Sequence, residues 1–213
     1  MPQWVWYVAY GSNMHANRLR YYLVGGRPPG AARTYPGCRD RQPPTQTAPV
    51  FLTGGIYFAA ESRTWTGGTA FYDPALPGRA AGRGYLVTPG QFADIAAQEM
   101  ARTPETDLDL AEVLATGRAQ LGPGRYETLI SPGVLDGYPM VTFTAPWRAS
   151  DVPVNPPSPR YLGLIASGLH EAHGWDPDRL TAYLADRPGI QGHWARADLA
   201  AQVAQVEFRW SAE

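Results

Sequence analysis

The sequence predicts a single α+β domain over residues 1–213, in which helices flank a mixed-strand sheet or barrel. Segments rich in aromatic and β-branched residues predominate in the first two thirds, and helical patterns predominate in the last third. The repeated strand-helix alternation of a doubly wound parallel sheet is missing. A hydrophobic content of 44% is enough for a core, and we find no internal repeat and no linker that clearly splits the chain.

The first predicted elements are a strand and a short helix. Residues 4–10 are largely aromatic and β-branched and stop at a Gly-Ser-Asn turn, which indicates a strand. Residues 14–23 then place Met14, Leu19, Tyr22 and Leu23 near one helical face. A loop rich in proline, glycine and arginine follows over residues 25–49, and further strands are predicted at residues 50–60, 69–73 and 84–88.

The clearest helical pattern covers residues 89–102, which open with a proline and carry apolar residues at helical spacing. Two strands are predicted at residues 126–131 and 140–145, after a polar stretch with a short helix near 110–115. The pairs Ser158-Pro159 and Asp176-Pro177 each place a capping side chain before a first-turn proline. Two C-terminal helices are therefore expected to begin there.

Composition argues against several classes of protein. The formal net charge is -1, so the attraction that drives nucleic-acid binding has no obvious source, although all 18 basic residues are arginine. No apolar run approaches the ~20 residues that cross a bilayer, and the mean hydropathy is -0.30. Cys38 is the single cysteine, and the N-terminus does not resemble a signal peptide. We expect a cytoplasmic protein that binds neither nucleic acid nor membranes.

Glu99 is the candidate catalytic residue. At about 100° per residue, the helix over 89–102 places Glu99 within the apolar face, whereas Asp94 and Gln98 fall on the predicted solvent side. A carboxylate in an apolar wall loses hydration, which suits it to taking and returning protons near neutral pH. The alternative is a structural role, with Glu99 paired to an arginine or lying at the rim of the core.

The turn at Tyr10–Met14 is a candidate binding site. Its Gly-Ser-Asn residues tolerate unusual backbone angles, so successive N–H groups can converge on an anion, and a helix starting there would add a favourable field. An ordinary turn is the alternative. Ser12 lacks the Gly-x-Ser-x-Gly context of a nucleophile, and no histidine spacing suggests a triad.

Four segments, taken in order, resemble the γ-glutamylcyclotransferase-like family. Tyr-Val-Ala-Tyr-Gly-Ser-Asn-Met at residues 7–14 is similar to the family's opening strand and loop. Gly54-Gly55-Ile56 resembles its glycine pair before a strand, and Gln98-Glu99 resembles the site of its catalytic glutamate. Pro157-Ser158-Pro159-Arg160-Tyr161 resembles its Pro-Ser-x-x-Tyr helix start.

The resemblance implies a mixed-strand barrel flanked by helices and an enzyme that cyclises a γ-glutamyl amide to 5-oxoproline, releasing the amine. Glu99 would be the general acid and base, and the loop would hold the α-amino-acid end of the substrate. The resemblance implies no cofactor or metal. It does imply a symmetric homodimer. The expected substrate-binding residues are Tyr10, Gly11, Ser12, Asn13, Met14, Gly54, Gly55, Tyr126 and Tyr161; for Tyr161, core packing is an equal alternative.

Two departures from the family pattern affect the leaving group. Residues 103–124 insert about a helix's length where the family has a short connection, and Phe143 stands where some members carry a tyrosine. We expect the insertion and the loop over residues 25–49 to select the leaving amine, whose identity stays open.

Two other functions are alternatives to this one. One is a non-catalytic binder of small molecules, which would tolerate Glu99→Gln. The other is a metal-dependent deacylase, suggested by His170 and His173, but their spacing is not that of His-Glu-x-x-His. His15 and His193 are expected in solvated loops, and Cys38 has no histidine near it in sequence.

Overall fold

The first strand, β1 (Val5–Ala9), lies inside a six-stranded sheet and is buried along its whole length. The computed structural model describes residues 2–29, 31–62 and 64–209, with side chains up to residue 205. Strand β1 pairs antiparallel with β5 (Arg79–Val87) and parallel with β8 (Tyr138–Thr144). The sheet is therefore mixed, as predicted.

The remaining strands complete this sheet and form a second one. The order of the large sheet is β2-β5-β1-β8-β7-β6, with β2 at Gln46–Thr53, β6 at Arg118–Gln120 and β7 at Thr128–Leu135. Strands β3 (Gly55–Ala59) and β4 (Thr69–Asp73) form an antiparallel pair.

Helices flank the sheet, so the predicted fold class is confirmed. They are α1 (Ala16–Val24), α2 (Pro89–Glu99), α3 (Ala111–Thr116), α4 (Pro159–His173), α5 (Pro177–Ala185) and α6 (Arg196–Arg209). No helix within the described residues is both long and apolar enough to cross a membrane.

The chain divides into two compact units, each built from separate segments. Unit 1 comprises Met1–Ala9, Asn17–Val50 and Arg83–Pro146, and unit 2 comprises Tyr10–Ala16, Phe51–Gly82 and Trp147–Glu213. Unit 1 contains Glu99, and unit 2 contains the Tyr10–Met14 turn. The single domain stays a prediction.

Aromatic packing fixes α2 against the sheet of unit 1. The ring centroid of Tyr7 on β1 lies 5.4 Å from that of Phe143 on β8 and 6.1 Å from that of Phe92 on α2. Offset and tilted ring pairs at these distances add stabilisation beyond the apolar area they bury. The packing of Phe92 against Tyr7 and Phe143 therefore holds α2, and with it Glu99, against the sheet.

Three helix starts agree with their sequence patterns. Thr88 and Gln91 form a reciprocal capping box at the start of α2. Ser158 and Asp176 accept N–H groups from the first turns of α4 and α5, and a proline follows each of them.

The strand predicted over residues 50–60 is wrong, because Gly54 divides it into β2 and β3. Gly54 has a φ of 111°, and a Cβ there would lie 2.5 Å from the carbonyl oxygen of Asp73. Only glycine adopts this conformation without strain. Strand β2 also begins inside the predicted loop, and β6 and α6 were not predicted.

Candidate functional site

The prediction that Asp94 and Gln98 of α2 face solvent is wrong, because both side chains are buried. Gln98 is 0% exposed and Asp94 is 1% exposed, whereas Glu99, expected within the apolar face, is half-buried at the helix end. The helix begins at a capping box and ends at Glu99, so the carboxylate occupies its last turn.

Residues 37–39 cover this polar side. Gly37 donates its N–H to Oε1 of Gln98 (3.3 Å), and Nε2 of Gln98 donates to the carbonyl of Tyr22 (3.0 Å). Arg39 donates its backbone N–H (2.8 Å) and its Nε (2.9 Å) to the Asp94 carboxylate. Every polar atom named here has a partner, which allows an amide and a carboxylate to be buried. Local periodicity does not reveal such a covering segment.

Glu99 accepts a short hydrogen bond from a buried tyrosine. The hydroxyl of Tyr22, on α1, donates to Oε1 of Glu99 at 2.6 Å. Burial, and secondly the negative charge of Glu99, raise the pKa of Tyr22 well above its usual value. The phenol therefore stays protonated and keeps its hydrogen available to the carboxylate.

Arg18 is a buried cation beside this pair. Its Nη2 donates to the hydroxyls of Tyr35 (2.5 Å) and Tyr22 (3.4 Å), and its guanidinium lies 4.5 Å and 4.8 Å from the centroids of the two rings. Burial by itself lowers the pKa of Arg18, but Tyr22, Tyr35 and Glu99 outweigh it and raise it. The side chain is 4% exposed and charged.

Sequence patterns do not indicate this cluster, except that they place Tyr22 on the inward face of α1. Arg18 and Tyr22 are four residues apart, which places them on one helical face, and this spacing was the signal that could have found them. Tyr35 lies in a loop, where no periodicity identifies an inward residue.

In unit 2, the predicted binding turn forms one turn of 3₁₀ helix over Ser12–Met14. The N–H of Met14 bonds to the carbonyl of Gly11 (3.0 Å), and the N–H of His15 bonds to that of Ser12 (3.2 Å). The turn uses these two donors, so the N–H groups of Gly11 and Ser12 are its candidates for binding an anion.

Helix α4 contacts this turn through two of its residues. A Cβ at Gly11 would lie 3.2 Å from the hydroxyl oxygen of Tyr161, and a Cβ at Gly168 would lie 2.6 Å from Cβ of Met14. The Tyr161 hydroxyl also accepts the N–H of Ala70 at 3.3 Å. Tyr161 is 5% exposed, so it both packs in the core and presents its hydroxyl next to the predicted loop.

Tyr10 is buried next to this loop as well. Its ring centroid lies 5.9 Å from that of Tyr72 on β4. Burial, and secondly Asp73, raise the pKa of Tyr72 to about 12, and the Tyr72 hydroxyl donates to the carbonyl of Thr53. The Tyr72 side chain therefore stays uncharged where it packs against Tyr10.

Gly54 and Gly55 have backbone reasons to be glycine. Gly54 needs its positive φ, and Gly55 pairs with Asp73 across β3 and β4, where a Cβ would lie 3.1 Å from Cβ of Leu76. These contacts account for both glycines without a substrate. Their role in binding stays a prediction.

Tyr126 occupies an unusual backbone position in unit 1. Its φ is 66°, a left-handed value that is rare for a bulky residue, and its ring packs edge-on against Phe143 at 5.9 Å. The next residue, Glu127, accepts the N–H of Gly124 at 2.7 Å and forms an ion pair with Arg102. Glu127 holds the loop together, and this role was not predicted.

The histidines and the cysteine have structural partners. His15 was expected in a solvated loop, but it is 5% exposed because it lies under α4, 3.9 Å from the carboxylate of Glu171; His193 is exposed, as expected. A ring nitrogen of His173 contacts the carbonyl of Gly82 at 2.9 Å.

The imidazole of His170 contacts the carbonyl of Trp175 at 2.8 Å, and burial lowers the pKa of His173. Burial, and secondly Asp94, raise the pKa of Cys38 to about 12, so its thiol is not a nucleophile. Within the described ranges, no three His, Cys, Asp or Glu side chains are grouped to hold a metal ion.

The structure thus brings some predicted site residues together. Gly11, Met14 and Tyr161 are neighbours in unit 2. Glu99 lies in unit 1 with Tyr22, which was predicted only as an inward residue. The substrate contacts of all the predicted residues stay predictions.

Solved structures match nearly the whole chain. A structure named gamma-glutamyl cyclotransferase aligns with a TM-score of 0.51 and 16% identity, covering 95% of this chain and 99% of that one. The chain has the γ-glutamyl cyclotransferase fold. An ensemble-refined crystal structure of an uncharacterized human protein aligns with a TM-score of 0.52 and 16% identity over the same shares. At this identity the likeness shows the fold alone.

Sequence comparison adds one relative and no family. Histone deacetylase 5 of Arabidopsis thaliana is 26% identical over an alignment of 198 residues, which covers 84% of this chain but 30% of that protein. The chain therefore spans less than a third of this relative, and the name of the whole protein assigns no activity to it. No family model matches the chain.

Proposed function

We propose that the chain is a γ-glutamyl cyclotransferase-type enzyme, which converts a γ-glutamyl amide into 5-oxoproline and a free amine. The fold supports this proposal, and so does the order of the four segments that resemble the family. The observation that carries it is the half-buried Glu99 carboxylate, held at Oε1 by the buried hydroxyl of Tyr22. Such a held carboxylate has the geometry of a general base.

The turn at Tyr10–Met14 is proposed to bind the α-carboxylate of the substrate. Its candidate donors are the N–H groups of Gly11 and Ser12, since Met14 and His15 use theirs within the turn. Tyr161, beside Gly11, is proposed to line the same site. Consecutive backbone N–H groups bind a carboxylate without a charged side chain.

Glu99 is proposed to manage the protons of the reaction. It takes one proton from the α-ammonium group, and the amine formed attacks the γ-carbonyl carbon of the same molecule. A new C–N bond closes the five-membered ring, and the original amide C–N bond breaks as Glu99 returns the proton to the departing amine. The ring nitrogen then passes its second proton to the released amine, which gives 5-oxoproline and an ammonium ion. The nucleophile and the electrophile belong to one molecule, so the main task of the enzyme is proton transfer. General acid–base catalysis typically accelerates a reaction ~10²–10⁴-fold.

The proposed reaction balances without a metal or an organic cofactor, and a chelator is expected to leave its rate unchanged. A cytoplasmic location and a homodimer stay predictions of the sequence. Which amine leaves is the question that a substrate screen answers.

The test is a mass-spectrometric screen for 5-oxoproline with varied γ-glutamyl amides. Native protein is expected to release it, and Glu99→Gln is expected to lose at least ~10²-fold in rate. Asp198→Asn makes the matching change on an exposed carboxylate of α6 and should keep native activity. Circular dichroism checks that each variant is folded.

Two outcomes would sink the proposal. Release of 5-oxoproline at the native rate by folded Glu99→Gln would remove Glu99 from the chemistry. No release from any amide would favour the non-catalytic binder, and calorimetric titration with the same amides would then measure binding.

A further inference from the structure

We infer that Tyr22 and Arg18 are positioning residues that orient Glu99 and hold it as an ionised base. This inference rests on the proposed function. It adds two residues on α1 that none of the four family-like segments includes.

The direction of the hydrogen bonds follows from the chemistry of the donors. A guanidinium has no acceptor, so the contact between Nη2 of Arg18 and the Tyr22 hydroxyl uses an arginine hydrogen. The single hydrogen of Tyr22 therefore points to Oε1 of Glu99, 2.6 Å away. Protonated Oε1 would compete with this hydrogen, so the network favours the carboxylate over the carboxylic acid.

The charge of Arg18 acts in the same direction. The side chain is 4% exposed, and Tyr35 fixes it through a hydrogen bond of 2.5 Å and a ring centroid 4.5 Å away. A fixed cation in a site with little water interacts with a nearby carboxylate more strongly than a solvated one does. Burial, followed by the charge of Glu99, also keeps the Tyr22 phenol neutral.

Other charged and titratable groups near this cluster have partners of their own. Asp94, earlier on α2, bonds to Arg39, and the Cys38 thiol donates to the carbonyl of Tyr22. Arg33 lies 5.1 Å from the centroid of the Tyr35 ring, on the loop. Within the described part of unit 1, the hydroxyl of Tyr22 thus links the Glu99 carboxylate to Arg18.

The consequence for the reaction is that Glu99 begins it as a carboxylate. An N–H bond of the α-ammonium group breaks and an O–H bond forms at Glu99; the reverse transfer then delivers this proton to the departing amine. Tyr22 itself gains and loses no proton.

The experiment measures the pH dependence of kcat/KM for Tyr22→Phe and for its matched control Tyr21→Phe. Both changes remove one phenol oxygen from α1, but Tyr21 is half-buried and has no part in the network. Loss of a hydrogen bond to a charged group should move the acid limb of Tyr22→Phe upward by about one pH unit, and activity below the limb should fall about tenfold. The limb of Tyr21→Phe should not move.

A second readout does not depend on turnover. The carboxyl carbon of Glu99 is titrated by NMR in protein labelled at glutamate, and its signal is identified by its loss in Glu99→Gln. Its midpoint should rise in Tyr22→Phe and stay in Tyr21→Phe. If Tyr22→Phe does not fold, Arg18→Gln replaces it, because loss of the cation should raise the same midpoint.

The outcomes separate the two proposals. If native protein turns over and Tyr22→Phe keeps the native acid limb and the native Glu99 midpoint, the inference is overturned and the proposed function stands. Absence of 5-oxoproline from native protein would end the proposed function. In that case an unchanged midpoint would overturn the inference too, whereas a raised one would support the hold of Tyr22 on the carboxylate.

Discussion

The contact between Gly11 and Tyr161 gives a prediction about how α4 and the candidate binding turn are coupled. The backbone of Gly11 is extended, at φ -112° and ψ -150°, so alanine can adopt it without strain. The added Cβ would lie 3.2 Å from the hydroxyl oxygen of Tyr161, and its next neighbour is Cβ of Ala70 at 3.8 Å. The oxygen of Tyr161 is thus the single atom in its way.

The magnitude follows from this geometry. Gly11→Ala by itself should cost about 1 kcal/mol of unfolding free energy, since crowding in a packed site outweighs the gain of ~0.4–1 kcal/mol from a less flexible unfolded chain. In a Tyr161→Phe background the obstructing atom is gone. Gly11→Ala should then be neutral or stabilising by about 0.5 kcal/mol.

The assay is a double-mutant cycle measured by urea unfolding of the native chain, both single variants and the double variant. We expect a coupling free energy of about 1–1.5 kcal/mol, above the ~0.3–0.5 kcal/mol within which independent sites add. Additive effects would show that the hydroxyl of Tyr161 does not confine the turn. The reasoning about its place beside the loop would then be refuted.

Two further predictions concern a helix cap and the cysteine. Ser158→Ala removes the side chain that accepts the N–H of Tyr161 and donates to the carbonyl of Trp65, and it should cost about 1–2 kcal/mol in urea unfolding; an unchanged midpoint would contradict the capping role. Cys38 should react with a thiol reagent at pH 8 only as fast as the protein unfolds, because burial, and secondly Asp94, raise the pKa of its thiol to about 12. This thiol ionises at lower pH in the unfolded chain than in the folded one, so its contribution to stability is lost as the pH rises from the usual value of 9.0 to about 12; rapid labelling of folded protein would contradict its burial.

Local patterns were sufficient wherever neighbouring residues decide the structure. The capping pairs at Ser158 and Asp176 start helices because a side-chain oxygen accepts a nearby N–H group, whatever lies further away. Strand β4 (Thr69–Asp73) was predicted with its bounds, and β1 within one residue at each end. The order of these elements predicted a mixed or an antiparallel sheet, and the resemblance to the family favoured the mixed one.

Local patterns failed where a distant segment covers or divides an element. Helical periodicity placed Asp94 and Gln98 of α2 toward solvent because both are polar. It does not show that residues 37–39 supply hydrogen-bond partners that allow these side chains to be buried. Gly54 ended a strand because of its approach to the carbonyl of Asp73, which no local pattern contains.

The sequence by itself determined the fold class, the starts of α2, α4 and α5, and Glu99 and the Tyr10–Met14 turn as candidates. Tertiary structure alone decided the surroundings of Glu99, since Arg18, Tyr22 and Tyr35 meet the end of α2 only when a helix and a loop fold against it. The physical reason is that capping and periodicity are short-range along the chain. A buried charge, by contrast, is stabilised by whatever partners lie nearby in space.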